Sequence, residues 1–106
     1  MEFQNILKQV QEMGTQFKKV QKELASKKVT ASVGGGMVQV TANGQKEIIS
    51  ITIEKAIINP QEKQMLEDLV CAGVNEALSK AQDLAVEQMM KTTGGMNIFG
   101  LLKGLV

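Results

Sequence analysis

Side chains that could carry catalysis are scarce in this 106-residue chain. The sequence has no histidine and a single cysteine, Cys71, so neither a Ser-His-Asp nor a Cys-His arrangement can form. A structural zinc site is implausible for the same reason. The acidic residues Glu62, Glu67 and Asp68 lie near the start of a predicted helix, where they complement the helix dipole. We therefore predict that the protein is not an enzyme and has no catalytic residue, metal, cofactor or small-molecule substrate.

Lysine is the side chain whose placement suggests a ligand. All 12 basic residues are lysines, and the formal net charge is only +1. The charge is uneven, because residues 1–28 hold six lysines and three glutamates, whereas residues 59–91 hold three lysines and six acidic residues. Lysines on a projecting helix can neutralise phosphates and release counterions, but lysine-rich helix surfaces are common, and from the residues alone a solvated surface is the better explanation. The lysine cluster consists of Lys18, Lys19, Lys22, Lys27 and Lys28.

The absence of arginine limits how such a chain could read DNA. Arginine makes the common bidentate contact with guanine in the major groove and is the residue that inserts into narrow minor grooves. Three phenylalanines, without tyrosine or tryptophan, provide no stacking platform for single strands. If the chain binds DNA, we expect contacts between lysines and duplex phosphates, with little base readout.

The glycine triplet Gly34-Gly35-Gly36 could suggest a phosphate-binding loop. Such a loop requires a helix after it and a Lys-Ser/Thr pair at its end. Here the sequence continues as a strand from Met37, so we predict a tight turn in which glycine supplies positive φ.

The first of the elements that position these residues is a predicted helix with a strict heptad seam. Its apolar residues recur at alternating steps of three and four. The seam could cover the sheet within one subunit, or it could form a coiled coil between subunits. Both arrangements are possible at once if the C-terminal half of the helix packs on the sheet and the N-terminal half projects. The heptad seam comprises Phe3, Ile6, Val10, Met13, Phe17, Val20 and Leu24.

A three-stranded antiparallel sheet is predicted next, from a strand at 29–33 and a hairpin around Asn43-Gly44. Asn-Gly favours a two-residue type I′ turn, which would set Val38 opposite Ile49. One face of the hairpin is then apolar and must be covered. This dry face consists of Val38, Val40, Ala42, Ile49, Ile51 and Ile53.

A second, long helix should cover the dry face of the hairpin. Asn59 can cap it and Pro60 suits its first position. The predicted class is α+β, in the order helix, three-stranded antiparallel sheet, long helix. We expect one domain over 1–106, divided into a heptad helix (1–28), the sheet (29–55), the long helix (59–91) and a flexible apolar tail (92–106).

Three blocks of the chain, in this order, are GGGMVQVTANGQKEIISITIE, NPQEKQMLEDLVCAGVNEALSKAQ and TTGGMN. Together they resemble the bacterial YbaB/EbfC nucleoid-associated proteins, and the resemblance runs from about Lys8 to Asn97. It implies a tweezer-like homodimer whose sheets join the two subunits and whose protruding helices approach double-stranded DNA. The implied contacts are Lys18, Lys19 and Lys22 first, then Lys27 and Lys28, with Lys80 and Lys91 as weaker candidates.

The alternative function is a dimeric protein-interaction module that uses the heptad helix and the apolar tail. The near-neutral net charge and the acidic second helix favour it. The chain starts without a signal-peptide pattern and has no apolar run of the roughly 20 residues that a membrane span needs. Together with the lone Cys71, these features predict a cytoplasmic protein without a membrane partner, and the resemblance places it at the nucleoid.

Overall fold

A computed structural model describes residues 2–92 of the chain. Two helices flank a three-stranded sheet, so the predicted α+β class and element order are confirmed. The predicted flexible tail lies outside the described residues, except for Thr92, which ends the second helix. The elements are α1 (Glu2–Ser26), β1 (Lys28–Val33), β2 (Val38–Asn43), β3 (Ile48–Ile53) and α2 (Lys63–Thr92), with 3₁₀ turns at Lys55–Ile57 and Pro60–Glu62.

The core lies between α2 and the strands β1 and β2. β2 is the central strand and pairs antiparallel with both neighbours. Small residues of α2 face the sheet, and a Cβ built on Gly73 would lie 2.8 Å from Val40 Cγ2. Close packing between helix and sheet therefore depends on these small side chains. The buried cluster comprises Ala31, Val38, Val40, Ala42, Ile57, Ala77 and Ala81.

The predicted cap at Asn59 begins the 3₁₀ turn that precedes α2. The Gln61 N–H donates to Asn59 Oδ1 at 3.0 Å, and Pro60 occupies the first position of the turn. The α-helix itself starts at Lys63. The cap residue is thus as predicted, but the regular helix begins a few residues later than position 59.

The predicted register of the β2–β3 hairpin is wrong. Val38 lies opposite Ile53 instead of Ile49, and the register is irregular between Thr41 and Ala42. The displacement between prediction and structure is four residues up to Thr41 and three at Ala42. Because side chains alternate with a period of two, the even displacement leaves Ile51 and Ile53 on the same face of the sheet as Val38.

The turn of this hairpin explains the displacement. Lys46 takes the left-handed conformation, at φ 65°, whereas Asn43 and Gly44 do not take positive φ. The Lys46 N–H donates to the Asn43 carbonyl oxygen at 3.1 Å. Asn43 Oδ1 also accepts the N–H groups of Gln45, at 2.9 Å, and Glu47, at 3.1 Å. These bonds describe a longer loop that ends in an αL residue, which is the next most common hairpin type.

Gly44 is required in this turn because the chain passes very close to α1. Its N–H donates to the carbonyl oxygens of Leu24, at 2.8 Å, and Lys27, at 3.1 Å. A Cβ at this position would lie 2.7 Å from Leu24 Cδ2 and 2.8 Å from the Leu24 carbonyl oxygen. The turn therefore docks on the end of α1 through a residue without a side chain.

We expect Gly44→Ala to lower the free energy of unfolding by about 1–3 kcal/mol, because the methyl group presses on a helix carbonyl that can move only with its backbone. Gly14→Ala is the matched control, since nothing lies within 4 Å of its Cβ position. In an exposed helix interior that change raises stability by up to about 1 kcal/mol. Urea unfolding followed by circular dichroism, at one protein concentration, measures both. Equal effects would contradict the close approach at Gly44.

The heptad seam of α1 is divided into a packed and a projecting part. Val20 and Leu24 are 8% and 4% exposed where α1 meets α2 and β2. The seam residues before them are exposed, with Phe17 at 64% and Phe3 at 71%. The C-terminal half of the seam thus packs within the subunit while the N-terminal half projects. A coiled coil between subunits stays a prediction.

Strand β3 carries the part of the dry face that α2 leaves uncovered. Ile49 and Ile51 remain 47% and 42% exposed, so the prediction that the whole hairpin face packs on the second helix is wrong for these two residues. A helix is about 10 Å wide, and strands lie about 4.8 Å apart, so one helix covers about two strands. α2 lies over β1 and β2, and β3 is left as an apolar edge strand.

Candidate nucleic-acid interface

Three members of the lysine cluster lie together on α1. Lys18, Lys19 and Lys22 are all exposed, and Lys18 lies about 6 Å from Lys22 along the helix axis. Within residues 2–92, the structure pairs none of them with a carboxylate. We call these residues the lysine triplet. Three uncompensated ammonium groups at this spacing suit a duplex, which carries one negative charge per about 1.7 Å of its axis.

The remaining two members of the cluster differ from each other. Lys28 begins β1 and is exposed. Lys27 is half-buried, and its Nζ donates to Gln88 Oε1 at 2.7 Å. Gln88 in turn donates from Nε2 to Glu23 Oε2. The Lys27 ammonium is therefore engaged in a polar contact that ties the end of α1 to α2, while Lys28 extends the exposed basic surface.

Gln88 has a structural role that no sequence motif indicated. It is only 7% exposed and lies on the same helical stripe as the fully buried Ala77 and Ala81. A polar side chain on a buried stripe implies a hydrogen-bond partner, because buried polar groups are almost always paired. The helical spacing of Gln88 from Ala77 and Ala81 is therefore the sequence signal that could have predicted its buried hydrogen bonds.

The two weaker lysine candidates both have partners in the structure. Lys80 Nζ donates to the Thr30 carbonyl oxygen at 3.0 Å. Lys91 forms an ion pair with Glu87, with 3.3 Å between Nζ and Oε1. Both groups are thus less available to a phosphate than the lysine triplet.

The acidic residues at the start of α2 have local partners. Glu67 pairs with Lys63, with 3.5 Å between Oε1 and Nζ. Asp68 accepts a hydrogen bond from Gln64 Nε2 at 3.0 Å. Among the described residues, no three His, Cys, Asp or Glu side chains converge on a point that could hold a metal ion. The exposed Cys71 lies 3.7 Å from Asn75 Nδ2.

The glycine triplet forms the tight turn that its sequence predicts. Gly34, Gly35 and Gly36 take φ values of 62°, 67° and 90°, and the chain continues into β2. A strand follows where a phosphate-binding loop has a helix. The same part of the chain, residues 2–92, contains no helix that is long and apolar enough to span a bilayer.

The fold and this surface define a class: a small helix–sheet–helix protein that presents free lysines on a projecting helix. Comparison with known proteins then identifies the family. The model of the YbaB/EbfC DNA-binding family matches residues 1–96, and the chain belongs to this family. The resemblance found in the sequence is thereby confirmed.

Curated relatives carry matching names. A nucleoid-associated protein of Thermoanaerobacter sp. (strain X514) is 50% identical over 97 residues, which are 92% of this chain and 87% of the relative. A nucleoid-associated protein of Desulfotalea psychrophila is 46% identical over 98 residues, which are 92% of each chain. The crystal structure of the uncharacterized protein HP0035 from Helicobacter pylori has the same fold. Its TM-score is 0.77 at 19% identity, over 89% of this chain and 99% of that one.

Membership of the family establishes the general function. YbaB/EbfC proteins are nucleoid-associated DNA-binding proteins and not an enzyme family. The predictions of DNA as a partner and of a protein that is not an enzyme are therefore confirmed at this level.

Proposed function

We propose that the protein binds duplex DNA as a homodimer, mainly through contacts between lysines and phosphates, and contributes to nucleoid organisation or gene regulation. The observation that carries this proposal is the lysine triplet on the projecting helix α1, which is exposed and has no carboxylate partner among residues 2–92. Lys28 extends the same basic surface, and Lys27 holds α1 in place through Gln88. This role puts the protein in the cytoplasm, at the nucleoid.

The chemistry of lysine favours binding with little base readout. Contacts with phosphates fix the position of a protein on DNA but carry no sequence information directly. The chain has no arginine to form bidentate contacts with guanine. We therefore expect similar affinities for duplexes of different sequence.

A salt titration on mixed-sequence duplex tests the mode of binding. The logarithm of the association constant should fall linearly with the logarithm of salt concentration, with a slope of about −0.9 per neutralised phosphate. A lysine triplet from one subunit gives about −2.7, and triplets from both subunits give about −5. A slope near zero, or no binding by the intact dimer at low salt, would contradict the proposal.

The homodimer is supported by the uncovered edge of the sheet. Ile49 and Ile51 are about half exposed on β3, and an exposed apolar edge strand is usually paired or covered in natural proteins. Two copies that pack these apolar faces of β3 together across a two-fold axis bury both isoleucines in each subunit. The joined sheets then form the base of a tweezer-like dimer, and the two α1 helices form its arms.

The projecting half of the heptad seam favours the second candidate, a dimeric protein-interaction module. Phe3 and Met13 are each 71% exposed, and such a stripe is the kind of surface on which a partner helix docks. The seam and the lysine triplet lie on different faces of α1, so binding of a protein and binding of DNA do not exclude each other.

A further inference from the structure

The burial of α1 is concentrated at its C-terminal end. Each described residue of the helix before Val20 is exposed, whereas Val20 and Leu24 are buried. We call residues 20–27 the anchor segment of α1. Gln4 lies about 30 Å from Leu24 along the helix axis, so a rotation of about 10° at the anchor segment moves Gln4 by about 5 Å. Small changes at the anchor segment therefore change the direction of the whole helix.

Gln88 of α2 holds the anchor segment through its side-chain amide. It is only 7% exposed, and its Oε1 accepts a hydrogen bond from Lys27 Nζ at 2.7 Å. Its Nε2 donates to Glu23 Oε2. Hydrogen bonds to charged groups are stronger than those between neutral groups, and an amide bonded at both ends also fixes an orientation. One side chain of α2 thus joins two charged residues that lie one helical turn apart.

The β2–β3 hairpin turn holds the same segment from a different element. Gln45 Nε2 donates to the Gln21 carbonyl oxygen at 2.8 Å. The Gly44 N–H donates to the carbonyl oxygens of Leu24 and Lys27, at 2.8 and 3.1 Å. Gly44 therefore holds the end of the helix, and Gln45 reaches about one turn further along it.

This turn also connects α1 to the proposed dimer interface. The chain runs from Gln45 directly into β3, which starts at Ile48 and carries the exposed Ile51. The turn therefore lies between the strand at which the second subunit is proposed to join and the helix that carries the lysine triplet. The direction of α1 is tied to the position of that strand.

We infer that Gln45 and Gln88 are positioning residues for DNA binding, which hold each α1 helix at a fixed angle so that the lysine triplets of both subunits reach one duplex together. This role rests on the proposed binding of DNA by two arms, and neither glutamine contacts DNA in it. Once one triplet is bound, the second binds at an effective concentration that depends on how well its position is fixed. An arm that swings freely spreads its triplet over a larger volume and lowers that concentration.

Distances between spin labels within one subunit test the positioning without DNA. In a Cys71→Ser background, labels at Gln4→Cys on α1 and Ser79→Cys on α2 report the angle of the arm. Labelled chains are diluted with an excess of unlabelled protein, so that intrachain distances dominate. The double variant Gln45→Met, Gln88→Met keeps the net charge and removes both side-chain contacts. It should shift or broaden the distance distribution by about 5 Å.

A second pair of glutamines provides the matched control. Gln39 on β2 and Gln64 on α2 are exposed and have no printed bond to the anchor segment; Gln39 lies opposite Thr52, and Gln64 donates to Asp68. The double variant Gln39→Met, Gln64→Met makes the same chemical change in the same two elements. It should leave the distance distribution unchanged.

DNA binding gives the second readout. The variant at Gln45 and Gln88 keeps both lysine triplets, so a smaller folded fraction alone would lower its affinity without changing the salt slope. Loss of positioning should lower the affinity by at least about tenfold and move the slope from about −5 toward about −2.7. Circular dichroism and light scattering check that helix content and mass are unchanged. Gln45→Met alone, at an exposed position, should show smaller changes in the same direction, and it carries the test if the double variant does not fold.

Two results would overturn the inference. Distances equal to those of the control variant mean that the two glutamines do not hold the arm. Altered distances with unchanged affinity and salt slope mean that the position of the arm does not govern binding. If the unaltered protein itself does not bind duplex DNA, the proposed function fails, and the distances separately show whether the glutamines hold α1.

Discussion

Replacing Lys18, Lys19 and Lys22 together with glutamine is expected to weaken binding to duplex DNA by about 100-fold or more at 0.1 M salt. Each lysine–phosphate contact contributes about 0.9 logarithmic units per tenfold change in salt, so the three contacts of one subunit account for about 2.7 units and those of both subunits for about 5. Glutamine keeps a similar helix propensity, so α1 remains folded. Fluorescence anisotropy on a labelled duplex, repeated over a range of salt, should show both the loss of affinity and a smaller salt slope.

A second triple variant controls for net charge. Lys55→Gln, Lys63→Gln and Lys91→Gln remove the same three charges from exposed positions outside the lysine triplet, and two of these lysines already pair with Glu67 and Glu87. We expect this variant to bind within about fivefold of the unaltered protein, because these lysines lie outside the proposed contact surface and the loss of exposed ion pairs changes stability little. Equal losses in the two variants would mean that net charge, and not the triplet, governs affinity. A loss confined to one DNA sequence would contradict contacts with the backbone.

The helices of this protein follow closely from the sequence. The alternating three- and four-residue spacing between Phe3 and Leu24 predicts α1, and Asn59-Pro60 marks the entry to α2. These signals are local, because helix periodicity and capping depend on residues within one or two turns. The division of the seam into a packed and a projecting half follows from the single sheet, which α1 meets only at its C-terminal end.

The hairpin shows where local signals fail. Asn43-Gly44 has the composition of a type I′ turn, but Gly44 is held against the end of α1 by two hydrogen bonds to its carbonyl oxygens. This contact joins residues about 20 positions apart, and it occurs together with the longer loop that places Lys46 at positive φ. A tertiary contact thus overrides the intrinsic preference of the dipeptide, as it often does for short segments.

The candidate site likewise combines features that the sequence predicts with features that depend on tertiary contacts. Exposure of the lysine triplet follows from its place outside the heptad seam, which the sequence shows directly. The engagement of Lys27 does not, because its partner Gln88 is 61 residues away. A basic cluster read from sequence is therefore a set of candidates, and the three-dimensional contacts separate the lysines that are free from those that support the fold.

The uncovered edge of the sheet connects the fold to DNA binding. A single α1 arm offers one lysine triplet, which is few contacts for stable binding at physiological salt. Two arms fixed to a joined sheet double the number of contacts. Once one lysine triplet binds DNA, binding of the second triplet to the same duplex becomes intramolecular. Dimerisation through β3 is thus a requirement of the proposed mechanism, and the side chains that would form it are open to a direct test.

Ile51→Lys is expected to convert the proposed dimer to a monomer at micromolar concentration. Ile51 is 42% exposed in the subunit, so the subunit can accept lysine, but the dimer loses the buried isoleucine twice. Burial of one such side chain contributes about 1.5–3 kcal/mol, so the loss is about 3–6 kcal/mol and raises the dissociation constant by a factor of about 10² to 10⁴. Light scattering should report the change from twice 11.5 kDa to 11.5 kDa.

Thr52→Lys is the matched control, because it adds the same charge to the next residue of β3, on the opposite face of the sheet. It separates the effect of losing a buried isoleucine from the effect of adding a charge. Thr52 lies opposite Gln39, away from the isoleucines, so this variant should remain a dimer and keep its affinity for DNA. Ile51→Lys should instead lose DNA affinity together with dimerisation, because each monomer presents only one arm. If Ile51→Lys stays dimeric, the subunits meet elsewhere. If it becomes monomeric but binds DNA with unchanged affinity and salt slope, the two arms do not act together on one duplex.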